Sequence, residues 1–354
     1  MSKSKLKFSS NHDNDGILAG EFSFDSPIVE EFIDFLNDIG SDLEGMGNIS
    51  VFASPESREQ LMNFCGSITL KEPDYLDAYA HAAGALYEGG EIAAAKIWYE
   101  RGLKQAYSVI PHKFVGTISW MDIDNRPFLR LHHGLILCLC YRGEIKEAIK
   151  EAEQHLKWNP NDNIGVRFML ADLYTHENNI KKARDLMKES HDMTTYPAFH
   201  YNEALLYLHQ KKYYEALTKL RKGFISNPYI AEILLGNEHP MGKPMWLSNS
   251  DCGVEVAEDY IEGVAGAAWQ NESDAIEFMH WAYNCSIVLK DRGQFMELHE
   301  QLDRTRDFNL RGQILQNMSV FNGTINLESS KKISIEITNR YGDTMHAWDL
   351  DAYH

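Results

Sequence analysis

Between residues 127 and 228, small, apolar and turn residues return at nearly constant intervals. Ala148, Ala183 and Ala216 head three second helices, spaced 35 and 33 residues apart. Leu139 and Gly143 precede Ala148 as Tyr174 and Asn178 precede Ala183 and Tyr207 precedes Ala216, and Pro160 and Pro228 follow the first and third. An interval of about 34 residues is that of paired antiparallel helices, which cannot bury their apolar faces singly and therefore stack. A weaker copy spans 76–106 through Ala83, Leu86, Gly90, Ala95, Tyr99 and Gly102. There Ala83 and Ala95 let two backbones approach, and Tyr99 fills the space between units. The step from Ala95 to Ala148 is 53 residues, so an inserted loop is assigned to 107–125. Such insertions collect on one face, often the binding face.

The flanks follow other patterns. Residues 1–22 carry few apolar groups and are expected to be a mobile tail. Ser26-Pro27 and Ser54-Pro55 are helix starts, with serine as N-cap and proline in the first turn, and Gly40 is the expected stop of the first helix. Together they predict a capping region over 23–70, before repeats over 71–236. Residues 237–320 predict further helices, at about 251–270, 274–290 and 294–306, the last two turning at Asp291-Arg292-Gly293 as a degenerate repeat. From Ile333 the period changes to two: Ile333, Ile335 and Ile337 alternate with polar residues. A turn over 339–343 and a second run to Leu350 complete a β-hairpin over 331–352. A lone hairpin is marginal in water, so it must lean on the last helices or pair with another chain, which leaves self-association open. The predicted fold is all-α: a right-handed α-solenoid of helical hairpins with a small C-terminal β-hairpin.

Composition narrows the function. A formal charge of −18 disfavours nonspecific binding to nucleic acid or anionic membrane and favours a basic partner. The five cysteines show no metal-ligand or disulfide-framework spacing, which fits a reducing, cytoplasmic setting. The basic start is followed by polar residues, so no secretory signal is expected, and the run Leu135 to Tyr141 is too short to span a bilayer.

Motifs for catalysis fail on inspection. Asn11, Asp13, Asp15 and Gly16 open like a calcium loop, but Phe22 stands where the closing carboxylate belongs. Gly236 and Gly242-Lys243 are misspaced for a phosphate loop, and Pro244 replaces its hydroxyl residue. His299-Glu300-Gln301-Leu302-Asp303 lacks the second histidine of a zinc-protease helix and is expected to be a solvated face. His132 and His133 diverge by about 100° on a helix, so they do not share one metal. No catalytic residue, metal or cofactor is assigned.

The repeats resemble the tetratricopeptide superfamily. More narrowly, 125–280 resembles the suppression-of-tumorigenicity-7 family and its bacterial relatives. The resemblance rests on Asn125-Arg126-Pro127-Phe128-Leu129-Arg130, His133-Gly134-Leu135, Asn159-Pro160-Asn161-Asp162-Asn163, Tyr201-Asn202-Glu203-Ala204-Leu205-Leu206, and Ser226-Asn227-Pro228-Tyr229-Ile230 to Gly236. It implies a non-catalytic interaction scaffold or adaptor that holds a protein or peptide in the concave groove lined by first helices. Projected onto this chain, that groove holds Tyr87, Arg130, His133, Tyr141, Phe168, Asp172, His176, Tyr201, Asn202, Leu205 and His209. Aromatic, imidazole and amide groups on a curved surface suit an extended peptide. In the inserted loop, Trp120, Asp122, Asp124 and Arg126 either plug the groove or touch the partner, with Asn125 as the cap of the next helix. The alternative functions are a structural subunit docked through the C-terminal hairpin and a metal-dependent hydrolase with a site assembled from distant residues.

Overall fold

The computed structural model describes residues 4–12, 16–44, 52, 54–189, 196–241, 252–338 and 341–349. Among them are seventeen α-helices and five short strands, so the chain is mostly helical. It divides into two compact units, 1–170 and 171–354, a boundary that falls inside a helix and not at either edge of the expected repeat region. Residues 13, 15, 242–244 and 339–340, which the calcium-loop, phosphate-loop and hairpin-turn readings involve, lie outside the described residues.

The first unit begins with β1 (Leu6–His12) and β2 (Leu18–Phe24), an antiparallel pair in the register Leu6↔Phe24 to His12↔Leu18. This corrects the expectation of a mobile tail over 1–22. The pairing is held by burial: Leu6 and Phe22 sit in the core, and Phe22 packs against Phe8 and Phe128. The Asp74 carboxylate also fixes the chain start by accepting from Ser4 Oγ at 2.6 Å and from the Lys5 and Leu6 amides at 2.7 and 3.1 Å. Burial works to raise the Asp74 pKa, but these hydrogen bonds outweigh it and hold the carboxyl below its usual value.

Next come α1 (Ile28–Glu44), which runs on past Gly40, and α2 (Pro55–Lys71), where Ser54 Oγ accepts from the Ser57 amide at 3.0 Å as an N-cap. Leu61, Cys65 and Ile68 recur at helical spacing and are fully buried against Phe32. Each buried side chain of this size contributes roughly 1.5–3 kcal/mol. The unit continues through α3 (Leu76–Glu88), α4 (Ile92–Val109), β3 (Thr117–Ile118), α5 (Arg126–Tyr141) and α6 (Ile145–Trp158). A Cβ on Gly134 would lie 2.1 Å from the Tyr99 ring, so α4 and α5 approach only because residue 134 has no side chain.

The boundary lies in α7 (Val166–His176). Beyond it are α8 (Ile180–Glu189), α9 (Pro197–His209), α10 (Tyr213–Ser226), α11 (Pro228–Leu234), α12 (Val254–Glu262), α13 (Val264–Gln270), α14 (Ser273–Asn284), α15 (Ser286–Arg304), α16 (Phe308–Thr324) and α17 (Leu327–Ser330). β4 (Glu336–Thr338) and β5 (Thr344–His346) close the unit as an antiparallel hairpin. Its flanking residues Ile333, Ile335 and Trp348 enter the core of this unit, with Trp348 4.7 Å from the Phe278 ring and 4.9 Å from Tyr213. Asp291-Arg292-Gly293 is not a turn but lies inside α15. Asp291 there accepts from the buried Arg221 at 2.6 and 3.0 Å, an ion pair that a break in the helix would displace. The break falls instead at Cys285, and the expected helix over 251–270 is divided at Gly263.

Four helical hairpins, α3/α4, α5/α6, α7/α8 and α9/α10, share one turn. Gly90, Gly143, Asn178 and Lys211 have φ of 79°, 68°, 51° and 55°. The next amides, of Glu91, Glu144, Asn179 and Lys212, donate to the carbonyls of Leu86, Leu139, Tyr174 and Tyr207 at 2.8 to 2.9 Å. This left-handed closure satisfies carbonyls that the helix end would leave unpaired. Replacing Lys211 by glycine removes a left-handed side-chain residue and should stabilise the protein by about 1 kcal/mol, while Gly143→Ala should cost about as much. Urea denaturation midpoints that move in the opposite directions would refute this account of the turns.

Candidate functional site

The projected groove residues divide between the two units. In the first, Tyr87 is half-buried near the end of α3 and Tyr141 is 72% exposed at the end of α5. Tyr141 and Arg142 border a shallow depression with the turn residues Gly90 and Glu91. Arg130 is engaged internally, its Nη1 donating to Asp77 Oδ1 at 2.8 Å. Burial works to raise the Asp77 pKa, but the His81 hydrogen bond and the charges of His81 and Arg130 hold it below its usual value. Burial pushes the His133 pKa down to about 4, so that imidazole is neutral at pH 7. Phe168 is half-buried on α7.

In the second unit, three of the expected groove residues are interior. Tyr201, Asn202 and Leu205 are each 0% exposed. The signal was present in α9, which carries apolar residues all round its axis and not in one stripe; Ala198, Phe199, Tyr201, Ala204, Leu205 and Leu206 are all buried. Tyr201 packs on Phe224 and Tyr260 and donates its hydroxyl to the Asn227 carbonyl at 2.7 Å. His209 Nε2 pairs with Glu272, and His176 Nδ1 stands 3.7 Å from Glu177 Oε1.

Asn202 centres a polar chain inside this unit. Its amide donates to Asp172 Oδ1 at 2.6 Å, and its carbonyl oxygen accepts from the Tyr260 hydroxyl at 2.8 Å. Burial raises the Asp172 pKa to about 7, and the Asn202 hydrogen bond only partly offsets it. Asp172 is thus a carboxyl that changes charge near neutrality, and such groups are enriched at functional sites.

A second polar cluster escaped the sequence reading, which singled out His133 and not its neighbour. His132 is fully buried: Nε2 donates to Glu151 Oε2 at 2.9 Å, and Nδ1 faces His155 Nδ1 at 3.2 Å. Phe128 stacks on His132, and Trp158 meets it edge-on. The His132 hydrogen bond is the largest effect holding the Glu151 pKa low, while burial pushes that of His155 down to about 2. His299, expected on a solvated face, is also buried, edge-on to Phe295 at 4.7 Å, because its helix turns that side toward Leu302 and Ile314. Among the described residues, no group of three His, Cys, Asp or Glu side chains is arranged to hold a metal ion.

The inserted loop is the most defined of the proposed surfaces. The α4 helix extends through Val109, so the loop starts at 110 and not 107. β3 pairs in parallel with β2, Ala19↔Thr117 and Gly20↔Ile118. Asn125 does not cap α5 with its side chain. It spans loop and sheet instead: Oδ1 accepts from the Phe22 amide at 2.9 Å, and Nδ2 donates to the carbonyls of Gly20 and Ser119, each at 3.1 Å. Arg126 Nε donates to the Trp120 carbonyl at 3.0 Å, and its guanidinium lies 5.4 Å over the Trp120 ring. Trp120 and Arg126 therefore brace the loop, while Asp122 and Asp124 are exposed. Between and beside those carboxylates stand Ile123 and Met121, exposed by 71% and 68%, and Val115, earlier in the loop, is exposed by 88%.

Ionisation of Asp172 carries a measurable cost. Its folded pKa lies above the unfolded value near 3.8, so the folded state binds the extra proton. Its favourable contribution is complete below pH 3.8 and is lost as pH rises through about 7. Asp172→Asn keeps the acceptor for Asn202 and removes the ionisation. Its melting temperature should exceed that of the parent at pH 8, by an amount corresponding to a stability difference on the order of 4 kcal/mol, and the gap should narrow toward pH 5 and close below about pH 4. A pH-independent difference between the two melting curves would be incompatible with this assignment.

The chain matches no family model and no curated protein.

Proposed function

We propose that this chain is a non-catalytic protein-interaction scaffold or adaptor, working in the cytoplasm, that holds a basic protein or peptide segment. The observation that carries the reading is the loop around Met121-Asp122-Ile123-Asp124. Two large apolar side chains, Met121 and Ile123, stand in solvent on a segment braced by Asn125 and Arg126, alternating with the exposed carboxylates Asp122 and Asp124, and Val115 is exposed earlier in the same loop. Exposing such groups is unfavourable for the free protein, and a braced loop has little conformational entropy to lose on binding. The alternating carboxylates complement a segment that carries lysine or arginine beside apolar residues, and the charge of −18 would speed its approach.

The recurring left-handed turns support a tetratricopeptide-like solenoid as the scaffold, in keeping with the resemblance to the suppression-of-tumorigenicity-7 family. Of the proposed groove residues in the first unit, Tyr87, Tyr141 and Phe168 retain accessible surface for contact, whereas Tyr201, Asn202 and Leu205 are interior to the second. Docking through the C-terminal hairpin draws less support, since Ile333, Ile335 and Trp348 are spent on their own unit. No helix among the described residues is long and apolar enough to cross a membrane.

The test is affinity capture of partners by the full chain, with quantification by mass spectrometry. Met121→Ser with Ile123→Ser should lower recovery of the principal partner at least tenfold, and Asp122→Asn with Asp124→Asn should weaken its salt dependence. Undiminished capture by the Met121/Ile123 variant, with its circular dichroism intact, would exclude the loop as the contact surface.

A further inference from the structure

A second site lies in the other unit, where the end of α10, α11 and α15 border a half-open cavity of about 330 Å³, with Met241 and Leu289 on its exposed rim. Pockets for small molecules run from ~300 to 1,000 Å³, apolar with a few placed polar groups. This one is therefore sized for a compact ligand and not for an extended chain. Its inner wall is Phe224, Ile225, Tyr229 and Phe295, all buried, with Met296 beside them. Two charged side chains complete the lining: Glu232 from α11 and Arg292 from α15.

These two charges form a loose ion pair whose members are each positioned by other groups. The Arg292 guanidinium lies 3.4 Å from the centre of the Tyr283 ring and gives one N–H to the Tyr283 carbonyl at 3.2 Å. Its Nη2 stands 4.0 Å from Glu232 Oε1, beyond hydrogen-bond reach. Glu232 in turn accepts from the Tyr283 hydroxyl at 3.0 Å and from Asn237 Nδ2 at 3.1 Å, so its position is set by other partners. Both side chains are largely withdrawn from water, at 20% and 29% exposure. A positive and a negative group fixed side by side, each with hydrogen-bonding capacity to spare, complement a ligand that carries both charges. A ligand with a single charge would leave one of the two facing its like.

Gly293 adds an independent observation. It lies well inside the 19-residue helix α15, where glycine is unfavourable, and it lines the cavity. A Cβ built there meets no heavy atom of the described residues within 4 Å, so packing does not require the glycine. A side chain at this position would take up space at the cavity.

We infer that the cavity binds a free α-amino acid with an apolar side chain. The carboxylate meets Arg292, the ammonium meets Glu232, and the side chain lies against Phe224, Phe295 and Met296 where Gly293 leaves room.

The experiment is calorimetric titration of the full chain with L-phenylalanine and L-leucine, alongside glycine, 3-phenylpropionate and phenethylamine. Saturable one-to-one binding of L-phenylalanine or L-leucine is expected, with glycine and both singly charged analogues at least tenfold weaker. Gly293→Leu should lose binding at least tenfold while its circular dichroism is unchanged, and Arg292→Gln should lose it as well. The inference is overturned if neither apolar amino acid binds at up to about 10 mM, a range that detects even millimolar affinity. It is equally overturned if a singly charged analogue binds as well as the amino acid, or if Gly293→Leu binds unimpaired.

Discussion

One hydrogen bond, made four times, underlies the helical hairpins. An amide three residues beyond the first helix donates back to a carbonyl in its last turn, from Glu91 to Leu86 and at the three equivalent places. That bond requires the intervening residue to be left-handed, which is why Gly90, Gly143, Asn178 or Lys211 stands there. The chain then reverses within a few residues, and five positions on comes a fully buried alanine, Ala95, Ala148, Ala183 or Ala216. Alanine there allows the two helices to lie close, and larger side chains fill what remains. The turn is thus upstream of the packing: if it opened, the small residues would face the wrong neighbours.

Much of this was legible because turn chemistry and small residues leave a spaced trace in sequence. The trace failed where structure rests on long-range pairing or on all-round burial. β1 and β2 are short, and Ser9, Ser10 and Asn11 make β1 read as a polar tail; only the partner surface around Phe128 shows why Phe22 is buried. Asn125 reads as a helix cap because asparagine before proline-led helices usually is one, yet its amide is taken by the Gly20 carbonyl of β2, 105 positions away, and by that of Ser119. Asp291-Arg292-Gly293 reads as a turn by composition, and α15 persists through it because Arg221 and Tyr283 hold its two charged residues in helical positions.

The same distinction runs through the candidate sites. Sequence projection assigned α9 residues to a surface by analogy of register, but a helix apolar on every side has no surface to give. What it has instead is an interior polar chain, Asp172, Asn202 and Tyr260, whose members satisfy one another. The loop behaves in the opposite way: Asn125 and Arg126 are consumed in bracing, while Met121 and Ile123 stand in solvent beside Asp122 and Asp124.

The parallel ladder between β2 and β3 also dictates an order of events. Phe22 and the Asn125 that receives its amide are 103 positions apart, so a strand made early in synthesis waits for the ribosome to deliver its partner. Until then its outer rim of amides and carbonyls stays open, a template for any passing strand. Closing so long a span costs entropy before any contact repays it, which places the completion of this sheet late in the assembly of its unit.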